Sequence, residues 1–168
     1  MTESKIITQI CIVVNDVKQA NANWAKVLGR LEETIETIFP DGILHYADTE
    51  PVEYKGIQVA KYDLGNFVLE LLQPAPTPSR WRTFLDKNGP GVFHFCVLVD
   101  DRKIFQQTLT EIGVGLPYHI GYFPQGSYSY VDAKTQLGLD LSVNYLGEYQ
   151  ELFAGLLRGT AVPLDELK

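Results

Sequence analysis

The sequence predicts an α+β fold, two tandem βαβββ modules whose strands form a cupped mixed sheet, and three observations carry that prediction. The segment TQICIVVND at 8–16 recurs as FHFCVLVDD at 93–101. Each copy is followed by a stretch with apolar residues at helical spacing. Each copy then closes with a pair of alternating segments around a tight turn. One unit built twice accounts for all three, and it superposes Gln9 on His94 and Cys11 on Cys96.

The elements follow in order. Strands are expected near 6–14, 31–38, 43–48, 57–63 and 67–73 in the first copy. In the second they fall near 92–99, 117–121, 127–132 and 138–144. The first helix is set by Val17, Ala20, Trp24 and Val27/Leu28, with Asp16 as N-cap and Gly29 as its stop. Its counterpart opens at Asp100 or Asp101 and carries Ile104, Phe105, Leu109 and Ile112 as an apolar stripe. The first closing hairpin turns at Gly65-Asn66, a turn dipeptide with no phosphate-loop meaning. The second turns near Ala133–Gln136, and aligning the final strands puts Glu70 opposite Ser142.

Between the copies, 74–91 is rich in proline, with Ser79 as N-cap of a short helix carrying Trp81 and Phe84/Leu85, ended by Gly89-Pro90-Gly91. The chain is therefore expected to be a single domain over 1–168. Module one covers about 5–73, the linker helix 74–91, module two about 92–145, and a C-terminal helix and tail 146–168. The amphipathic stretch 148–158 predicts the terminal helix, and PLDELK at its end reads as a loose tail.

Because side chains two apart share a strand face, Ile10, Ile12 and Val14 are expected under the first helix, leaving Gln9, Cys11 and Val13 on the opposite face. The twin strand directs Phe95, Val97 and Val99 inward and leaves His94, Cys96 and Leu98. Leu69 and Leu71 oppose the face of Glu70, as Leu141 and Val143 oppose that of Ser142. A polar residue thus interrupts a sheet face at four equivalent places.

Composition narrows the function classes. At 168 residues and 45% hydrophobic, the chain can bury an ordinary core. No apolar run approaches the roughly 20 residues of a membrane span, and MTESK lacks a signal-peptide apolar core. A cytoplasmic protein with no membrane partner is expected. A net charge of −7 without a Lys/Arg cluster argues against nucleic acid as a partner. Two cysteines on interior strand positions read as reduced packing residues, although they share a face with the polar positions.

LGNFVLELLQP at 64–74, RTFLDKNGPGVFHFCVLVDD at 82–101 and VDAKTQLGLDL at 131–141, on the doubled βαβββ pattern, resemble the vicinal-oxygen-chelate superfamily of glyoxalases, bleomycin-resistance proteins and dioxygenases. Within it they are most similar to methylmalonyl-CoA-epimerase-like proteins, over residues 5–145. The resemblance implies four metal-ligand positions, which fall on Gln9, Glu70, His94 and Ser142. Such epimerases carry His, Gln or Glu, His and a carboxylate there, so Glu70 and His94 keep the pattern while Gln9 and Ser142 depart from it. Gln9, Glu70 and His94 are accordingly the expected metal ligands, with Glu70 and His94 the expected catalytic residues. Co, Mn, Ni or Zn is the expected ion.

The implied function is that of a lyase or isomerase stabilising an enolate of a small carbonyl or acyl-thioester substrate, in a homodimer. A serine at 142 cannot act as the family's carboxylate base, so a base would come from elsewhere, with Glu53, Tyr54 and His119 as candidates without positional support. The competing reading is a metal-free, bleomycin-resistance-like protein that binds a small molecule, with Glu70 and His94 as hydrogen-bonding groups. His45 and His119 read as packing residues. Tyr118, Tyr122, Tyr128 and Tyr130 either line a pocket or cover a sheet edge. Arg80 and Arg82 either grip an anion or are solvated.

Overall fold

A computed structural model describes residues 6–38 and 42–168, and residue 6 in its backbone only. Its strands are β1 (Ile6–Val13), β2 (Glu36–Ile38), β3 (Leu44–Ala47), β4 (Glu50–Pro51), β5 (Ile57–Asp63), β6 (Val68–Gln73), β7 (Gly91–Val99), β8 (His119–Phe123), β9 (Gly126–Val131) and β10 (Asp140–Leu146). Its helices are α1 (Val17–Leu28), α2 (Arg80–Asn88), α3 (Arg102–Glu111), α4 (Lys134–Leu137) and α5 (Gln150–Arg158), followed by a 3-10 turn at Asp165–Leu167. The described residues divide into two compact units, one of 8–38 with 54–94 and the other of 6–7, 42–53 and 95–168.

In the first unit the strands run β2-β5-β6-β1, with β1 and β6 parallel and β5 and β6 antiparallel. Helix α1 begins where the Asp16 side chain accepts from the Gln19 N–H and ends at Gly29, whose left-handed backbone (φ 64°) releases the chain. Ala20, Trp24 and Leu28 pack onto a core of Val14, Val17, Tyr62, Leu69 and Leu71, while Val27 is exposed. The periodicity thus identified the helix but assigned Val27 to the wrong edge of its stripe. Helix α2 starts at Ser79, which accepts from the Arg82 N–H, and buries Trp81 and Leu85.

The second unit runs β10-β9-β8-β3-β4, all antiparallel. The β3–β4 hairpin, which lies in sequence between two strands of the first copy, pairs with β8. Asp101 caps α3, whose Leu109 is buried and whose Phe105 packs on Val97, Val99, Val131 and Val143. Ile104 and Ile112, expected in that stripe, are exposed because α3 turns Arg102, Gln106 and Leu109 inward. The expected turn near Ala133–Gln136 is the one-turn helix α4.

The C-terminal residues correct another expectation. Leu164 and Leu167 are buried with Leu156, Ile120 and Tyr122, and the Tyr122 hydroxyl accepts from the Leu164 N–H while donating to Glu166. The tail is a packed part of the core. No helix among the described residues is long and apolar enough to cross a membrane.

Candidate functional site

Strands β1 and β6 and the start of β7, all in the first unit, bring three side chains together. Parallel pairing sets Cys11 beside Glu70 and Gln9 beside Val68. Ligand atoms of Cys11, Glu70 and His94 lie within 4.8 Å of one another. All three residues are buried, at 0%, 5% and 1% exposure.

Burial dominates the electrostatics. It pulls His94 from its ordinary 6.5 down to about 3, so the imidazole is neutral with a ring-nitrogen lone pair to offer. It raises the Glu70 carboxyl, against the opposing pull of Lys61 and of a hydrogen bond with Cys11. It also raises the Cys11 thiol well above the ordinary range, an effect that the neighbouring Glu70 carboxylate adds to. Lys61 on β5 reaches Glu70 Oε2 at 3.6 Å from a side chain that is 44% exposed, which makes it a weak, solvent-screened partner. The ring of Phe93 stands edge-on to His94 with centroids 5.5 Å apart.

Of the residues expected from the sequence, Glu70 and His94 are therefore in one cluster. Gln9 is half-buried on the same face of β1, two residues from Cys11. Ser142 lies in the other unit, buried on β10, where it donates to Asn144 Oδ1 at 3.4 Å. Glu53 is exposed, and Tyr54 stands edge-on to Trp81. Arg82 is tied to Pro74 and Asp86, and Arg80 is exposed.

Two groupings escaped the sequence reading. Cys11 was read as packing, and only the register of β1 against β6 shows it beside a carboxylate. In the second unit, His45 Nδ1 and His119 Nε2 lie 2.8 and 3.2 Å from the Tyr128 hydroxyl. His119 also stacks on Tyr130, with centroids 5.1 Å apart. The spacing of Tyr128 and Tyr130 on one strand face was the available signal for half of this grouping.

Residues 8–126 match the profile of the Glyoxalase/Bleomycin resistance protein/Dioxygenase superfamily. The chain belongs to this superfamily. Within it, the chain is 27% identical over 106 residues to the mitochondrial methylmalonyl-CoA epimerase of Bos taurus, covering 62% of this chain and 53% of the bovine protein. It thus spans about half the length of that relative. The solved methylmalonyl-CoA epimerase of Mycobacterium tuberculosis superposes with a TM-score of 0.59 at 18% identity, covering 90% of this chain and 97% of that one. A methylmalonyl-CoA epimerase solved with methylmalonyl-CoA and NH4+ gives 0.55 at 18% identity, over 84% and 94% of the two chains. At these identities the structural likeness establishes the glyoxalase-superfamily fold, the α+β class expected from the doubled pattern.

The donor set can be tested against the divalent ion common in this superfamily. One thiol, one carboxylate and one neutral imidazole are chemically suited to a borderline ion such as Zn²⁺, Co²⁺ or Ni²⁺. The thiol makes the set less suited to the harder Mn²⁺.

Proposed function

We propose that this chain is a metal-dependent lyase or isomerase that stabilises the enolate of a small carbonyl or acyl-thioester substrate. The observation that carries this reading is the buried convergence of Cys11, Glu70 and His94 within 4.8 Å. The resemblance of the sequence to methylmalonyl-CoA-epimerase-like proteins, which implies ligand roles for Glu70 and His94, supports this reading, as do relatives that are methylmalonyl-CoA epimerases by name. His94, Glu70 and Cys11, with Gln9 on the same strand face, are the residues that would hold the ion. A divalent ion there would supply Lewis-acid polarisation of a carbonyl oxygen.

The chain's own groups do the rest. His94 offers a lone pair without losing a proton, because burial already keeps it neutral. Burial raises the Glu70 carboxyl while the site is metal-free, and ligation of an ion would draw its proton off. Cys11 must lose its proton to become a ligand, so metal affinity rises with pH. We place the protein in the cytoplasm, as a homodimer binding a small molecule.

One feature favours the competing metal-free reading. Lys61 already sets a positive charge 3.6 Å from Glu70, so the carboxylate has a cation of the chain's own.

Metal content after incubation with Zn²⁺, Co²⁺, Ni²⁺ and Mn²⁺ and gel filtration separates the two. Near-stoichiometric metal that is lost in His94→Ala and Cys11→Ala supports the enzyme reading and directs a search among acyl-CoA substrates. Wild-type protein that retains none of the four ions rejects it in favour of metal-free ligand binding.

A further inference from the structure

The sheet of the second unit carries a polar grouping that the site above does not use. Directly paired residues of an antiparallel ladder share a face, so one row across four strands reads His45, Gly121, Tyr128 and Asn144. The next row on that face reads Ala47, His119, Tyr130 and Ser142. The opposite face supplies the apolar cores, with Ile120, Val131 and Val143. Yet His119, Tyr130 and Ser142 are themselves buried, at 1%, 7% and 3% exposure.

Gly121 organises the grouping. Its φ lies outside the left-handed region, so the backbone does not call for glycine there. Space does, because a Cβ would collide with the Tyr128 ring. Strands β9 and β3 are separated by β8, a span of about 9.5 Å at the usual strand spacing, and Tyr128 crosses it over the gap that Gly121 leaves. Its hydroxyl arrives 2.8 Å from His45 Nδ1 and 3.2 Å from His119 Nε2. Stacking on Tyr130, with centroids 5.1 Å apart, steadies the His119 ring.

Hydrogen bonding accounts for only part of this trio. A phenol has one proton to give, so one imidazole accepts from it and the other donates to it, and a single histidine would be enough to satisfy it. Two imidazoles around one phenol oxygen are also a ligand set for a borderline divalent ion. Burial holds His45 at about 4, so its ring is neutral and has a lone pair to offer at physiological pH. With metal–donor bonds of about 2.0–2.2 Å, the two N···O separations correspond to roughly 80–105° at a shared ion, angles that octahedral and distorted tetrahedral sites adopt. His45 and Tyr128 are half-buried, which leaves an ion an approach.

We propose that His45, His119 and Tyr128 form a Zn²⁺ site, the ion held by two imidazole nitrogens and the Tyr128 oxygen. Binding breaks the phenol O–H bond, forms a zinc–oxygen bond and releases the proton to water. Three protein ligands leave a position for water on the ion. The proposal does not rest on the metal cluster of the first unit, which uses other residues.

The test adds Zn²⁺ to the full chain carrying His94→Ala, which takes an imidazole from that cluster. The imidazole NMR signals of His45 and His119 and the ultraviolet difference spectrum of tyrosinate report on the new site alone. About one equivalent of Zn²⁺ should shift both imidazoles saturably and raise the tyrosinate signal. Mg²⁺, which prefers oxygen ligands, should do neither. Tyr128→Phe, which keeps the ring over Gly121, should weaken Zn²⁺ binding at least about tenfold, a difference of about 1.4 kcal/mol, and abolish the tyrosinate signal. His45→Gln should weaken binding as well.

Thermal unfolding of each variant confirms that it folds. If Tyr128→Phe does not fold, His45→Gln and the tyrosinate signal of the parent decide alone. Imidazole signals unmoved by millimolar Zn²⁺ overturn the proposal and leave the trio as hydrogen-bonded packing. So does Tyr128→Phe binding Zn²⁺ as tightly as its parent.

Discussion

His94 makes a quantitative demand on how this protein responds to acid. Burial holds its pKa at about 3 against an ordinary 6.5, so the folded state binds fewer protons than the unfolded chain between those values. The stability this contributes is fully present above about pH 6.5 and is lost as pH falls toward 3. At about 1.4 kcal/mol per pH unit, the loss attributable to His94 in metal-stripped protein reaches roughly 3 kcal/mol by about pH 4. Burial also raises the Glu70 carboxyl, which weakens it as a counter-charge for the imidazolium. The perturbation is His94→Gln, which keeps a polar side chain of similar size and removes the titration. Urea unfolding of both proteins across this range is the assay. The variant should start lower near neutral pH, through imperfect packing, and the two stability curves should converge on acidification. His45, lowered to about 4 by burial, titrates in both proteins and cancels from the difference. Parallel curves would refute the reasoning and mean that His94 is protonated or solvated in the folded state.

Three further outcomes are expected. Leu71, with no exposed surface in the α1 core, should cost about 2–5 kcal/mol in urea unfolding when changed to Ala, whereas Val27→Ala, 75% exposed, should stay within about 0.5 kcal/mol. Gly121→Ala places a Cβ 2.2 Å from the Tyr128 ring, so the ring must move. It should destabilise by about 1–3 kcal/mol and shift the imidazole NMR signals of His45 and His119; unchanged signals would deny the contact. Removing residues 164–168 strips Leu164 and Leu167 from the core and should lower stability by about 3–6 kcal/mol in thermal or urea unfolding, taking each buried leucine at about 1.5–3 kcal/mol.

What could be read from the sequence was local or repeated. Asp16 and Ser79 cap the helices they were expected to cap, and of Asp100 and Asp101 it is Asp101 that caps the third, because an N-cap acts across three residues and leaves its signature there. The doubled segment located β1 and β7, and with β7 the position of His94, while aligning the closing strands singled out Glu70. Parallel register, by contrast, is set by pairing across more than fifty residues, so Cys11 beside Glu70 has no local signature. The same holds for the pairing of β3 with β8. It holds again for Tyr128 with His45, which are 83 residues apart. The tail was misread because PLDELK has turn-like composition, while its burial depends on a hydroxyl from β8 and on leucines of α5.

The arrangement around Glu70 explains why one set of residues supports two readings. Without metal, the buried cluster approaches neutrality group by group: the thiol keeps its proton, the imidazole has lost its own, and Glu70 is raised while leaning on a half-exposed lysine. That state avoids the large cost of isolated buried charge, so the fold does not depend on an ion. A divalent cation there would reverse the preferences of Cys11 and Glu70, because it would favour thiolate and carboxylate, while leaving His94 neutral and making Lys61 a like-charged neighbour. The protons displaced are those that burial had retained, so metal affinity and acidity are coupled through Cys11 and Glu70. An exposed cluster of the same residues would hold its protons less tightly and show weaker coupling. The depth of the site makes the metal question one about pH as much as about ligand identity.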